Sequence, residues 1–267
     1  MKEQILSYLP GDHPWQNQIH WFDSIDSTNL ETKRMAQSGA PHGTVLIADH
    51  QTAGRGRLGR SFLSPAGMGI YMSVLLRPHC KPEKLMHLTC AAAVSACDAI
   101  EAMAGFRPDI KWTNDLVYQS KKLAGILTEL SIGPKNGLVE YAIIGIGVNC
   151  CQSKSDFDPS IHDFAGSLFT FAEKSLDRAR IAACLIQAFH KMAMSLLGDH
   201  TGIMENYRKQ CITLGKDVSI LRADGSVQHG RAVDIDDSGA LLVRFLDGNI
   251  EAVNSGEVSV RGMYGYV

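Results

Sequence analysis

Gly54-Arg55-Gly56-Arg57-Leu58-Gly59-Arg60 sets three arginines and three glycines into seven residues. Glycine tolerates positive φ and lets a backbone close on a ligand. Arginine carries a rigid fork of donors matched to carboxylate and phosphate. Interleaved, they make a loop that both wraps an anion and neutralises it. The spacing Gly54-x-Gly56-x-x-Gly59 does not open a helix here as it does in a dinucleotide fold, and the stretch is not a Walker A loop. A phosphate here is held by arginine side chains and loop amides, not by a helix N-terminus.

Working outward, the loop needs a scaffold. The 267 residues are 45% hydrophobic and 20% charged, ordinary for a globular protein. Twenty-six basic and 28 acidic residues leave a net charge of -2. That balance does not suggest a nonspecific nucleic-acid binder, so the basic loop suits a small anion. Seven scattered cysteines, with no Cys-x-x-Cys, indicate neither a disulfide framework nor a zinc cage. Met1 to His20 lacks the apolar core of a signal peptide, and no run reads as a membrane span. The expected location is the cytoplasm.

Before the loop, residues 1–18 read as a helical turn and a loop, too short for a helix-turn-helix domain. Ile19 to Ile25 reads as a strand. Thr28-x-x-Glu31 has capping-box spacing at a helix start, with Gly39 at the helix end; on local grounds Ser27-Thr28-Asn29 is capping alone. Thr44 to Ala48 is a strand. After the loop come a strand over Gly69–Arg77 and a helix over Pro82–Met103 with apolar residues every three or four. A short strand over Asp109–Trp112, the turn Thr113-Asn114-Asp115 and a strand over Leu116–Tyr118 follow. Two long apolar runs, Lys121–Leu130 and Leu138–Asn149, come next. Gly145-x-Gly147 in the second marks close approach of a ligand or another backbone. Helices are expected over 181–196 and 202–211. From Lys216 short strands (218–221, 227–234, 240–245, 250–253) with Asp-Gly and Ser-Gly turns predict a small β-barrel. The expected domains are 1–212 and 213–267.

Four polar clusters carry chemistry: the arginine loop, Lys111-Trp112-Thr113-Asn114-Asp115-Leu116, Lys121-Lys122-Leu123-Ala124-Gly125-Ile126-Leu127, and Gly145-x-Gly147-x-Asn149. Alone, the first three have plain readings, an exposed basic loop, a hairpin turn and a solvated lysine, and none of the four is decisive singly. Together and in this order, with Asp26-Ser27-Thr28-Asn29 and Gln51 ahead of them and Glu257-Val258-Ser259-Val260-Arg261 at the end, they resemble biotin protein ligase. The resemblance runs from about residue 20 nearly to the end. Two positions depart from the family pattern: Thr113 stands for its proline, and Phe62 for its usual tryptophan after the loop.

The resemblance implies an α+β fold: a mixed sheet flanked by helices, class II synthetase-like, with a C-terminal SH3-like barrel. It implies an enzyme that makes biotinyl-5′-AMP from biotin and ATP, then passes biotin to a lysine of a biotin carboxyl carrier protein. Catalysis would fall to Lys122, Arg57 and Asp115. Biotin would meet Ser27, Thr28, Asn29, Gln51, Arg55, Gly56, Arg57, Lys122 and Gly125. ATP would meet Arg55, Arg57, Arg60, Phe62, Lys111, Asn114, Lys122, Asn149 and Arg261. Mg²⁺ would come with the phosphates, with Asp115 as a ligand and no side-chain metal motif. Neither DNA nor a membrane is an expected partner. The rivals are a lipoate ligase of the same fold, a ligand-sensing repressor, disfavoured by the short N-terminal segment, and a non-catalytic module that binds a partner through its barrel.

Overall fold

The computed structural model describes residues 1–172, 176–222, 225–254 and, as backbone, 258–262. Seven strands form the main sheet. β1 (Ile19–Ile25) and β2 (Thr44–Gln51) run parallel, joined by helix α2 (Thr28–Gln37), after a short N-terminal helix α1 (Lys2–Ser7). β3 (Gly69–Leu76) turns back antiparallel to β2, and the arginine loop is their connection. The sheet continues β3–β7–β6–β5–β4, all antiparallel, with β4 (Asp109–Lys111), β5 (Asp115–Tyr118), β6 (Lys121–Ile132) and β7 (Val139–Asn149).

β3 is buried at every position, as a central strand covered on both faces must be. On one face its Ile70, Met72, Val74 and Leu76 share the main core with α3 (Leu88–Ala104) and α5 (Arg178–Ser195). The short helix α4 (Leu168–Phe171) comes before α5 in the chain. Alanines at 91, 92, 93, 96 and 99 let α3 lie close. Among the described residues Pro82–Ala104 is the one helical stretch long and apolar enough to cross a membrane, with 67% of its most apolar window buried. No run was expected to pass that test; the burial identifies this one as a core helix.

The opposite face carries α2, whose Ala36 packs on Leu75, Tyr141 and Ile143. The rest of its buried stripe is polar: Thr28, Asn29 and Thr32. The capping reading fails here. Ser27 holds the N-cap position without a side-chain cap bond, and Thr28 is the first helical residue. The Thr28 N–H and hydroxyl donate to Gln51 Oε1 at 2.8 and 3.1 Å, so β2 satisfies the helix end. Gly39 does follow the helix, at φ +90°.

α6 (Thr201–Gln210) leads into a five-stranded antiparallel sheet. Its order is β11–β10–β9–β8–β12, from β8 (Asp217–Arg222), β9 (Val227–Ile235), β10 (Leu241–Phe245), β11 (Ile250–Val253) and β12 (Val258–Gly262). β12 had no place among the expected strands; it pairs with β8. The small sheet's Val218, Ile220, Ala232, Ile235, Leu241, Val243 and Val253 join the main core. Trp112 ties the units together: its N–H donates to Thr213 Oγ1 (3.0 Å) and its Nε1 to the Gly239 carbonyl (2.9 Å).

Candidate active site

A cavity of about 640 Å³ opens where the first turn of α2, the arginine loop, the β4–β5 turn and strands β6 and β7 meet. Its floor is made of glycine. Gly125 pairs with Gly147, and Leu127 with Gly145, across β6 and β7. A Cβ on Gly145 would lie 1.9 Å from Asn29 Oδ1, and one on Gly147 2.5 Å from Phe62 Cε1. What comes close at Gly145 and Gly147 is therefore two side chains of this chain, not another backbone.

A bulge decides the position of Lys122. The β5–β6 register shifts between Leu116 and Val117, so that Leu116 pairs with Ala124 and Val117 with Lys122. The extra residue breaks the two-residue alternation and brings Lys122 and Gly125, three apart, to one side. A Cβ on Gly125 would stand 3.3 Å from Lys122 Nζ.

The cavity has a neutral end and a charged end. At the neutral end Gln51 accepts from Thr28 and donates from Nε2 to Ser64 Oγ at 2.8 Å. The Ser73 hydroxyl sits 2.6 Å from Asn29 Oδ1 and 2.8 Å from Thr28 Oγ1, and its one proton serves one of them at a time. Asn29 Nδ2 donates to Glu129 Oε2 at 2.9 Å and lies 3.3 Å from the Leu127 carbonyl. Ser27 is buried beside them. Its N–H donates to Asp26, whose carboxyl is held below its ordinary range chiefly by a hydrogen bond from Arg34.

At the charged end Lys122 Nζ lies 2.6 Å from Asp115 Oδ1. Arg57 Nη1 donates to Asn114 Oδ1 at 2.9 Å. Asn114 is fixed in turn by donating from Nδ2 to the Ile126 carbonyl at 2.8 Å. Burial lowers the pKa of Arg57, opposed by the charge of Asp115; a guanidinium stays charged regardless. Arg60 and Lys111 line the same cavity. The loop folds as a tight turn: Gly56 N–H donates to the Arg60 carbonyl at 2.6 Å, and Phe62 N–H to the Gly54 carbonyl at 2.9 Å. Leu58 and Gly59 take positive φ at its tip.

All the expected site residues line this cavity except two. Asn149 lies behind it, its amide 3.0 Å from the Gly166 carbonyl and 3.4 Å from that of Lys122. Asn149 thus supports the Lys122 backbone instead of facing the cavity. The Arg261 side chain and Glu257 lie outside the described residues. Phe62 rests on Gly147, with its ring centroid 6.3 Å from that of Tyr71.

Several residues had no expected role in the site. Trp112, Phe164, Leu58, Ser61, Leu127 and Ile146 also line the cavity. Ser73 and Glu129 bind its walls from behind. Ser73, the one hydroxyl in Gly-Ile-Tyr-Met-Ser-Val-Leu-Leu besides a tyrosine, and Glu129, an acid in an apolar strand, were the signals available. Chemically, the site can hold a molecule with an uncharged polar head and an acidic tail, beside a polyphosphate.

Residues 21–149 match the biotin/lipoate A/B protein ligase family, and residues 213–261 the biotin protein ligase C-terminal domain. The chain is 32% identical to the biotin--[acetyl-CoA-carboxylase] ligase of Mycobacterium tuberculosis over 263 residues, covering 97% of this chain and 93% of that one. It is 36% identical to the bifunctional ligase/repressor BirA of Bacillus spizizenii over 239 residues, which is 89% of this chain and 72% of that one. The fold superimposes on the Aquifex aeolicus biotin protein ligase in complex with biotin and ATP with a TM-score of 0.77 and 30% identity, over 92% of this chain and 99% of that one. A glycine-floored cavity with arginines and a lysine at one end, in a chain with such relatives along nearly its whole length, has one reading: this chain belongs to the biotin protein ligase family.

Proposed function

We propose that this chain joins biotin to a lysine of a biotin carboxyl carrier protein, using ATP. The observation that carries the proposal is one cavity with a neutral hydrogen-bonding end at Thr28, Asn29 and Gln51 and a cationic end at Arg57 and Lys122. Biotin fits that polarity, with an uncharged ureido ring at one end and a carboxylate at the other. The apolar body between them suits the glycine floor.

In the first step a biotin carboxylate oxygen attacks the α-phosphorus of ATP. The P–O bond to the β-phosphate breaks, and biotinyl-5′-AMP and pyrophosphate form. Two anions must approach, and charge builds on the phosphate oxygens. Once the loop has closed, Arg57, Arg60 and Lys122 offset both effects as oriented electrostatic stabilisation. Lys122 sits in an ion pair with Asp115, so an incoming carboxylate shares its ammonium and does not meet an unpaired charge. Arg55 and Gly56 close over biotin, and Phe62 presents a ring face to adenine. Lys111 and Asn114 border the nucleotide.

Mg²⁺ binds with one or two carboxylates and substrate phosphates. Asp115, on the cavity wall beside the arginines, fits that donor set. Bound there, the ion would neutralise charge on the departing pyrophosphate. Among the described residues no cluster of three or more His, Cys, Asp or Glu offers a protein-only metal site.

In the second step the carrier lysine amine attacks the acyl carbon. An amide forms, the mixed anhydride opens, AMP leaves and a proton is released. Asp115, on the cavity wall beside Lys122, is the base that takes it. The catalytic unit is residues 1–212, with 213–267 as the barrel, working in the cytoplasm on acetyl-CoA carboxylase or another biotin-dependent enzyme.

The decisive experiment is to incubate the protein with biotin, ATP, Mg²⁺ and a biotin carboxyl carrier domain and weigh the carrier. A gain of one biotinyl group supports the reading. No gain with biotin, or modification with lipoate in its place, overturns it.

A further inference from the structure

Glu129 stands outside the cavity, yet both of its carboxylate oxygens are spent on residues that line it. Oε2 accepts from Asn29 Nδ2 at 2.9 Å, and Oε1 accepts from Arg55 Nη1 at 3.2 Å. Asn29 comes from α2 and Arg55 from the arginine loop, so one side chain on β6 ties two cavity walls together. An asparagine amide presents an acceptor and a donor that a rotation of 180° interchanges. A carboxylate accepts only, so Glu129 admits Asn29 with its NH₂ toward β6. The Ser73 hydroxyl at 2.6 Å then meets Oδ1. The missing Cβ of Gly145 lets Oδ1 lie there at all.

The arginines also divide. Arg57 is fixed to Asn114 at the charged end, whereas Arg55 is fixed to Glu129 and through it to Asn29. Resting on the reading of the cavity as a biotin and ATP site, we infer that Glu129 is a positioning residue for the biotin end. It sets the orientation of the Asn29 amide and commits Arg55 to biotin, leaving Arg57 and Arg60 to the phosphates. Selectivity for a ureido ring then depends on a glutamate that does not touch it.

The test is steady-state pyrophosphate release with biotin and ATP varied separately, for wild type, Glu129→Ala, Glu129→Gln, Arg55→Ala, Asn29→Ala and the Glu129→Ala/Asn29→Ala double variant, with thermal unfolding of each. Losing the oriented amide should raise the biotin KM by about tenfold or more, the usual effect of one mismatched buried polar contact. The ATP KM should stay within about twofold, as expected of groups that do not contact ATP. Glu129→Gln keeps the shape but leaves one acceptor for two donors, so that its NH₂ must face either Asn29 or Arg55. It should also raise the biotin KM and should narrow the preference for biotin over lipoate. Glu129→Ala and Asn29→Ala should be non-additive in biotin KM, because they remove one connected unit.

The inference fails if the biotin KM of Glu129→Gln stays within twofold of wild type, or if the biotin and ATP KM values rise together. It also fails if the loss tracks unfolding temperature alone. Absence of any biotin-dependent pyrophosphate release in the wild type is a different result: it would overturn the ligase reading itself.

Discussion

Lys122 and Asp115 are each partly accessible, with 29% and 19% of their side chains exposed, and they face a cavity and not bulk water. An ion pair so placed is poised to exchange partners. Lys122→Ala should cut biotin-dependent pyrophosphate release by about 100-fold or more, the scale on which a preorganised charge acts. Arg57→Ala should do the same, with unfolding temperature nearly unchanged in both. A near wild-type rate in either variant would remove it from the mechanism. These two residues were legible in the sequence because their neighbours were unusual: glycines around Arg57, and an apolar run after Lys122. Ser73 and Glu129 were not, because their partners are 44 and 100 residues away along the chain. Thr28 was misread for the same reason. Capping is a local pattern, and its hydroxyl was claimed by Gln51, 23 residues on.

The arginine loop is the element on which retention of the intermediate depends. Its turn is closed by backbone bonds between Gly56 and Arg60 and between Gly54 and Phe62, and three of its seven residues are glycine: 54, 56 and 59. Such a segment has much conformational entropy to lose, and its arginines have anions to gain. Biotin plus ATP should therefore slow tryptic cleavage after Arg55, Arg57 and Arg60 on a gel time course; equal cleavage with and without ligands would refute this. Arg57→Gly should release biotinyl-5′-AMP faster than wild type in a filter assay, and an unchanged release rate would sink the retention role while sparing the adenylation role. The floor makes a separate prediction. Gly145→Ala puts a methyl group 1.9 Å from Asn29 Oδ1, closer than any real contact, so Asn29 must move. Biotin affinity by calorimetry should fall by about tenfold or more. Strand positions were readable from alternation and length. The bulge that turns Lys122 toward Gly125 was not, because it depends on how β5 and β6 register.

Across the whole molecule the small sheet and the catalytic turn are one packed structure. Tyr207 of α6 is fully buried and donates to the Thr113 carbonyl at 2.9 Å, directly before Asn114 and Asp115. Tyr207→Phe should lower stability by about 1–3 kcal/mol, read as a fall in unfolding temperature of several degrees. The ATP step should slow while the biotin KM holds. A second global property is pH dependence. His87 is buried, stacked at 4.1 Å on His200, with its Nε2 lacking a partner. Burial, with the neighbouring His200, pushes its pKa from 6.5 down to about 4. The unfolded chain binds this proton first, so the stability His87 contributes is present above about pH 6.5 and is lost as pH falls toward 4, by roughly 3 kcal/mol at most. His13, His20 and His42 are lowered mainly by burial and act in the same direction. His87→Asn should flatten the decline in unfolding temperature between pH 7 and 4.5; an unchanged slope would contradict the assignment. The sequence by itself determined the order of elements, the anion-binding character of the arginine loop, and the family, because glycine, arginine and strand alternation act through nearest neighbours. Only the tertiary structure decided that α2 buries a polar stripe, that Asn149 supports the site from behind, that Glu129 joins Asn29 to Arg55, and that the barrel braces the catalytic turn. Each of those rests on a contact between segments far apart in the chain, and burial and hydrogen bonding across such distances are set by the fold as a whole.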